Sequence, residues 1–401
     1  MVETADIVVV GGGCIGYAIA LHLAEKQAGK ILLLEKEQLA HGASGNGIGI
    51  IRTHSTHPVI AELAQQSQER FHQFKERFGG YDSGFNACGH YILVGESDVE
   101  TLKRIVRMNR SMQVNVSLVD LEEVQASMPH LNLSDVAAAA YESDSGYGNP
   151  LQTTQAFAQR AADLGVEIRT QTSVSEIQLD AGGKVQGVVT TAGKIATPIV
   201  VDCVGAWAKK FTENLGLEFP VTPIVEHFVV VERPDEFAQT HPVISDLVNL
   251  CYSCSASGQA YTGIGNSNSK YHAKFILEDA DSFHGQLFPL ITEELHAKLI
   301  HRFPILQQGR IVEKSSGVSG ITPDYQPIID HLKHIPGLYC AVGFSGHEYI
   351  LSPMIGELMS QFILGETNSL SEQLQIFRFE RFQENDLVKS LFSYGTSKGQ
   401  R

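Results

Sequence analysis

Three glycines and one acid carry the first recognisable chemistry of this chain. Gly11-Gly12-Gly13-Cys14-Ile15-Gly16 has the Gly-x-Gly-x-x-Gly spacing, and Glu35 follows 19 residues after Gly16. In such a motif the first glycine permits a tight turn, the second lets the backbone approach a pyrophosphate, and the third lets a helix pack against the strand. The helix N-terminus offers free N–H groups and a partial positive charge to phosphate oxygens. A carboxylate at Glu35 is placed to take the hydroxyls of an adenosine ribose. Gly11, Gly13, Cys14, Ile15, Gly16 and Glu35 are therefore candidate contacts to a dinucleotide. A second glycine turn, Gly343-Phe344-Ser345-Gly346-His347, stands between an apolar run and a helical one near the other end. Between the two lies a polar, glycine-rich stretch from His41 to Gly49, followed by Ile50-Ile51-Arg52. A guanidinium suits two-pronged recognition of a carboxylate; a surface salt bridge is its other common use.

The glycine motif means little without the right flanks. Asp6-Ile7-Val8-Val9-Val10 reads as a strand, residues 17–27 as a helix, and Ile31-Leu32-Leu33-Leu34 as a second strand ending on Glu35. Pro58 opens a helix running to about Phe78, where Gly79-Gly80 stops it. His90 to Val94 reads as a strand, residues 98–128 as two helices around a strand at 114–118, and residues 150–164 as a helix. Three short strands with tight turns follow over 174–197, then an apolar strand from Ile199 to Cys203. Strands dominate 222–317, interrupted by a helix at 292–302. The strand Leu338 to Val342, the second glycine turn and a helix at 353–364 close the pattern. This order predicts an α/β plus α+β chain, in which a discontinuous Rossmann-type binding domain (1–84, 146–220 and 318–388) carries a strand-rich substrate domain (85–145 and 221–317). A flexible tail is expected over 389–401.

With 401 residues the chain is long enough for two domains, and 43% hydrophobic content suits a globular protein. A net charge of −15 argues against nucleic acid and anionic membranes as partners. No apolar run reaches the roughly 18–20 residues of a bilayer span, and the acidic start, Glu3 and Asp6, is unlike a secretory signal. Six scattered cysteines read as reduced thiols of a cytoplasmic protein. Cys251-x-x-Cys254 lacks a second pair at zinc spacing and reads as strand residues, and the sixteen histidines, His54 and His57 among them, form no evident ligand set. No metal site is expected.

Taken together, the motifs resemble the D-amino-acid-oxidase superfamily of FAD-dependent oxidoreductases, nearest to sarcosine oxidase (monomeric or β subunit), glycine oxidase and the β subunit of dye-linked L-proline dehydrogenase. The landmarks are the first glycine motif, Glu35-Lys36, Gly42-Ala43-Ser44-Gly45, Ile50-Ile51-Arg52, Val200 to Trp207, Thr322-Pro323-Asp324, the second glycine turn, and Phe377-Arg378-Phe379-Glu380-Arg381-Phe382. The resemblance implies noncovalent FAD. Its adenine end would lie on the first glycine motif, Glu35, Lys36 and the backbone of Val174, and its isoalloxazine near Ser44, Asn46, Gly47 and the turn of Gly343, Phe344, Ser345, Gly346 and His347. Such a turn supplies N–H donors and a helix dipole for the negative charge of reduced flavin. The alternative for His347 is a satisfied surface residue. The implied reaction moves a hydride from the carbon beside an amine nitrogen to the flavin, and the imine then hydrolyses. The implied partners are a small amine or amino-acid substrate, oxygen or a protein or quinone electron acceptor, and in one alternative a second subunit. Oxidation of a 2-hydroxy acid is the other alternative.

Arg52 matches the arginine that holds the substrate carboxylate in monomeric sarcosine oxidase. Other positions depart from that pattern. Ile350 stands where a second carboxylate-binding lysine falls, Gly317 where the flavin-anchoring cysteine falls, and Gly263 where the oxygen-activating lysine falls, with Lys270 close by. Glu313 and Ser315 replace an arginine and a tryptophan of the proline-dehydrogenase branch. Glu348 occupies a position that is often glycine in relatives. It either recognises a cationic or polar group of the substrate or faces solvent. Arg52, His347 and Glu348 are the expected catalytic-site residues.

Overall fold

A computed structural model describes residues 2–237, 239–256, 261–266, 275–366, 369–392 and 394. The apolar runs at the start of the chain become strands Ile7–Val10 and Ile31–Leu34, every residue buried. They lie inside a six-stranded sheet with the order Ile328–His331, Leu338–Val342, Ile199–Asp202, Ile7–Val10, Ile31–Leu34, Glu167–Arg169. All its pairings are parallel except that of Ile328–His331 with Leu338–Val342. Parallel strands are covered on both faces, which is why they read as unbroken hydrophobic runs. One face carries helices Cys14–Glu25, Pro150–Asp163 and Glu348–Ile363. The first and last of these touch closely at Gly356, where a Cβ would come within 2.7 Å of Ala18. The other face is covered by the small sheet of Glu3–Thr4, Gly193–Ala196, Val185–Thr190 and Val174–Leu179.

A second, eight-stranded sheet has the order Ile311–Ile321, Thr222–Glu232, Tyr261–Asn266, Cys251–Ala256, Val243–Asp246, His90–Val94, Ala138–Glu142, Val116–Val119. Alternate residues point to opposite faces of a strand. Val225, Val229, Val231, Ile244, Cys251 and Ile264 meet helix Pro289–Arg302 through Ile291, Leu295 and Leu299. Glu226, Tyr252, Ser245, Ile92 and His90 therefore face the other way, towards the glycine-rich stretch that follows Ala43. Arg302 is buried in this layer, paired with Asp246 at 2.8 Å and Asp135 at 2.9 Å.

Two expectations need correction. The helix from Pro58 breaks at Gln73 into Pro58–His72 and Phe74–Arg77. The closing helix begins at Glu348, directly after the glycine turn, and Pro353 lies inside it. Proline lacks the N–H that would bond the Tyr349 carbonyl, and the Ser352 hydroxyl donates to that carbonyl instead, at 2.8 Å. Among the described residues after 389, the Leu391 N–H donates to the Thr56 carbonyl at 3.2 Å, and the Tyr394 hydroxyl meets His54 Nε2 at 2.7 Å. Among the described residues no helix is long and apolar enough to cross a membrane.

Candidate active site

Two cavities meet between the sheets, and Ala43, Ser44, Val318 and Glu348 line both. The smaller, about 430 Å³, is floored by Gly11, Gly12 and Gly13 and walled by Ile15, Glu35, Lys36, Val174, Gly343 and Phe344. Its floor depends on missing side chains. Gly11 has φ +113°, and a Cβ there would stand 2.4 Å from the Cys203 carbonyl oxygen. At Gly16 a Cβ would stand 2.0 Å from the Gly11 carbonyl oxygen, so this glycine locks turn to helix rather than facing the cavity. Gly13 precedes the buried helix with no side-chain cap of its own. The Cys14 N–H donates to Ser44 Oγ at 3.0 Å, and the thiol lies behind the wall, pushed up to about 12 by burial. Cys14 thus supports the floor and does not line the cavity. Glu35 accepts from the Gly12 N–H at 2.6 Å and from the Glu37 N–H at 2.8 Å, which fixes its carboxylate at the rim. Lys36 and Lys210 reach the Asp281 carboxylate at 2.5 and 2.8 Å, and Trp207 Nε1–H donates to it at 2.7 Å.

The larger cavity, about 1020 Å³, is lined by Asn46, Gly47, Arg52, Gly346, His347 and Glu348 and by the inward face of the eight-stranded sheet. Arg52 donates to the His54 carbonyl, and no carboxylate among the described residues forms an ion pair with it. Burial lowers the guanidinium pKa, partly offset by Glu142. Glu142 anchors the segment beside it at Thr53. It accepts from Thr53 Oγ1 at 2.5 Å, Ser145 Oγ at 2.9 Å and His90 Nδ1 at 2.9 Å. Burial alone would raise its carboxyl, but the His90 hydrogen bond and the other partners outweigh that and hold it at about 2. The ionised Glu142 makes Nδ1 the protonated nitrogen of His90, so the Ser245 hydroxyl donates to Nε2 at 2.8 Å.

His347 Nδ1–H donates to the Phe344 carbonyl at 3.1 Å, leaving the Nε2 lone pair free for an incoming donor. Burial, reinforced by Arg52, brings this imidazole down to about 4. Burial raises the Glu348 carboxyl. Ser345 is turned away from both cavities: its Oγ accepts from the Thr322 N–H at 3.1 Å. Gly317 sits against Asn46, where a Cβ would stand 2.6 Å from the Asn46 Cβ. Glu313 is exposed and lines neither cavity, Gly263 is buried in its strand, Ile350 is buried, and Lys270 lies outside the described residues. Sequence reasoning passed over Glu226, Tyr252, His90, Ser245 and Glu142. Only the alternation of their strands marks them, and that alternation becomes informative once the pairing is known.

A family model described as FAD dependent oxidoreductase matches residues 6–362. The chain belongs to this family. As an FAD-dependent oxidoreductase it is 26% identical over 373 residues to the mitochondrial sarcosine dehydrogenase of Mus musculus, covering 90% of this chain and 40% of that protein. It is 28% identical to the glycine oxidase of Geobacillus kaustophilus, covering 90% and 94% of the two chains. The chain thus spans less than half the length of the mitochondrial relative and nearly all of the bacterial one. The crystal structure of L-proline dehydrogenase from P. horikoshii shares the fold, with a TM-score of 0.86 at 24% identity, covering 97% of this chain and all of that one. FAD is the cofactor of the family, and the smaller cavity fits its adenosine diphosphate half. A glycine floor, a helix N-terminus whose N-cap residue Gly13 has no side chain to cover it, and a fixed carboxylate are the donor and acceptor set that such a group requires. This FAD-dependent oxidoreductase then presents Arg52, His347 and Glu348 in the cavity that continues from the cofactor cleft.

Proposed function

We propose that the protein oxidises a secondary amine or amino acid of the N-methyl amino acid, glycine or proline kind. The observation that carries this reading is Arg52: a guanidinium without a carboxylate partner among the described residues, in a cavity continuous with the cofactor cleft. Bound FAD supplies the hydride acceptor. Arg52 holds the substrate carboxylate, and the Glu142 network fixes Thr53, the residue that follows it. His347, neutral, accepts a hydrogen bond from the substrate nitrogen at Nε2. The amine reacts as the free base, so a buried site that disfavours charge assists it. Loss of hydride from the carbon next to nitrogen leaves an iminium, and water adds to it to release amine and carbonyl products. The names of the relatives, sarcosine dehydrogenase and glycine oxidase, support the substrate class. Oxygen, or a protein or quinone, takes the electrons onward.

Anaerobic bleaching of the visible flavin band tests the reading. Secondary and primary amino acids bleach it, and admitting air then reports whether oxygen is a competent acceptor. Bleaching by 2-hydroxy acids alone would refute the amine chemistry.

A further inference from the structure

The sheet face turned away from helix Pro289–Arg302 forms one wall of the larger cavity. Glu226 lies on that wall, and its register partner on the neighbouring strand is Gly317, which has no side chain to lay over it. The opposite wall contributes Glu348, from the N-terminus of its helix. No described cation acts on either carboxyl. Burial, with the nearby Glu348, pushes Glu226 up to about 8. Tyr252, on the same sheet face, is within electrostatic reach of Arg52, Glu226 and Glu348 together. The cavity thus has a cationic end and an acidic end, and among the described residues no ion pair neutralises either.

Glu226 forms no ion pair with a described residue, and the Glu348 carboxyl is met only by the backbone N–H groups of Gly346 and Glu348. Two half-buried carboxyls facing one cavity without a cation oppose folding when ionised, so a cationic ligand would compensate them. The reacting nitrogen is a poor candidate. It must lose its proton to give up hydride, and a carboxylate pair would hold it as ammonium. We propose that Glu226, together with Glu348, determines specificity by receiving a second, protonated nitrogen of the substrate, which is therefore an amino acid with a basic side chain and its carboxylate on Arg52. This rests on the amine-oxidising reading and narrows it.

The test uses isosteric pairs: lysine against 2-aminoheptanoate and ornithine against norleucine, as free and Nα-methyl forms of both hands. Each is mixed anaerobically with the holoenzyme, and the rate of flavin bleaching is followed against concentration. The basic member is expected to reduce the flavin about tenfold or more faster, per unit concentration, than its neutral isostere. Glu226→Gln brings that ratio to within about twofold while the flavin spectrum stays that of the bound cofactor. Glu348→Gln, a second variant, lowers the ratio in the same direction. A preference for the neutral isosteres, or a ratio unchanged in Glu226→Gln and Glu348→Gln, would overturn the proposal. Reduction by neutral amino acids alone removes this inference and leaves amine oxidation standing. Reduction by no amine at all removes both.

Discussion

The two cavities are built from different materials. The cofactor cleft is made of backbone: a glycine floor, the first turn of a buried helix, and one carboxylate held by the Gly12 and Glu37 N–H groups. The larger cavity is made of side chains delivered by separate strands and helices, with Arg52, Glu226, Tyr252 and Glu348 drawn together from across the chain. A backbone site tolerates almost no change at its glycines and offers little choice of ligand. A side-chain site can be re-specified one residue at a time without touching the fold.

The sharpest way to break this contrast is to put side chains on the floor. Gly11→Val places a β-branched residue at φ +113° with its Cβ 2.4 Å from the Cys203 carbonyl oxygen, and should cost on the order of 3 kcal/mol or more. The expected outcome is colourless, destabilised protein, read by flavin content and thermal unfolding. Arg52→Met should leave the flavin bound and lower kcat/KM for carboxylate substrates by about 10²-fold or more, the cost of one buried, hydrogen-bonded charge pair. If Arg52→Met instead lost its flavin, the division into two kinds of site would fail. Glu35→Ala removes a charge-assisted hydrogen bond and should weaken FAD by roughly 10–100-fold, with turnover unchanged once FAD is saturating. Titration of apoprotein with FAD measures this.

The smallest effect expected is on stability against pH. Glu226 is raised to about 8, and Asp202 and Asp330 to about 7, chiefly by burial. The folded state therefore holds protons that the unfolded chain has released. The stability these groups contribute is complete below the ordinary carboxyl pKa and is lost as pH rises through 7 to 8. Melting temperature of the apoprotein should fall across that window, and Glu226→Gln should flatten the fall. A rising profile there would contradict the assignment.

The same contrast decides what could be read from the chain. The cofactor cleft is local: Gly11, Gly13, Gly16 and Glu35 lie within one strand–helix–strand unit, so their spacing already encodes their geometry. The class of the second glycine turn was legible for the same reason. The start of its helix was not, because a proline usually marks the first turn, and here Ser352 satisfies the carbonyl that Pro353 leaves unpaired. Arg52 and Glu348 stood out because they sit beside glycine turns. Glu226 and Tyr252 did not, since each is one polar residue in a strand, and which face it takes depends on pairings between strands far apart in sequence. Ser345, Cys14 and Glu313 show the converse: residues in or near a motif whose side chains turn away from both cavities.

At the mouth of the cofactor cleft, the short turn Ala280–Ser282 brings Asp281 across to Lys36, Lys210 and Trp207. Burial would raise the Asp281 carboxyl, but hydrogen bonds from Lys210, Lys36 and Trp207 outweigh it and keep it ionised. A clasp of this kind joins the two halves of the fold over the adenosine end, and it is held by exposed ion pairs that salt screens within about 10 Å at 0.1 M. Retention of bound FAD is therefore expected to depend on ionic strength: flavin should leave the holoenzyme faster in concentrated salt than in dilute buffer, which the rise of free-flavin fluorescence after a salt jump would measure.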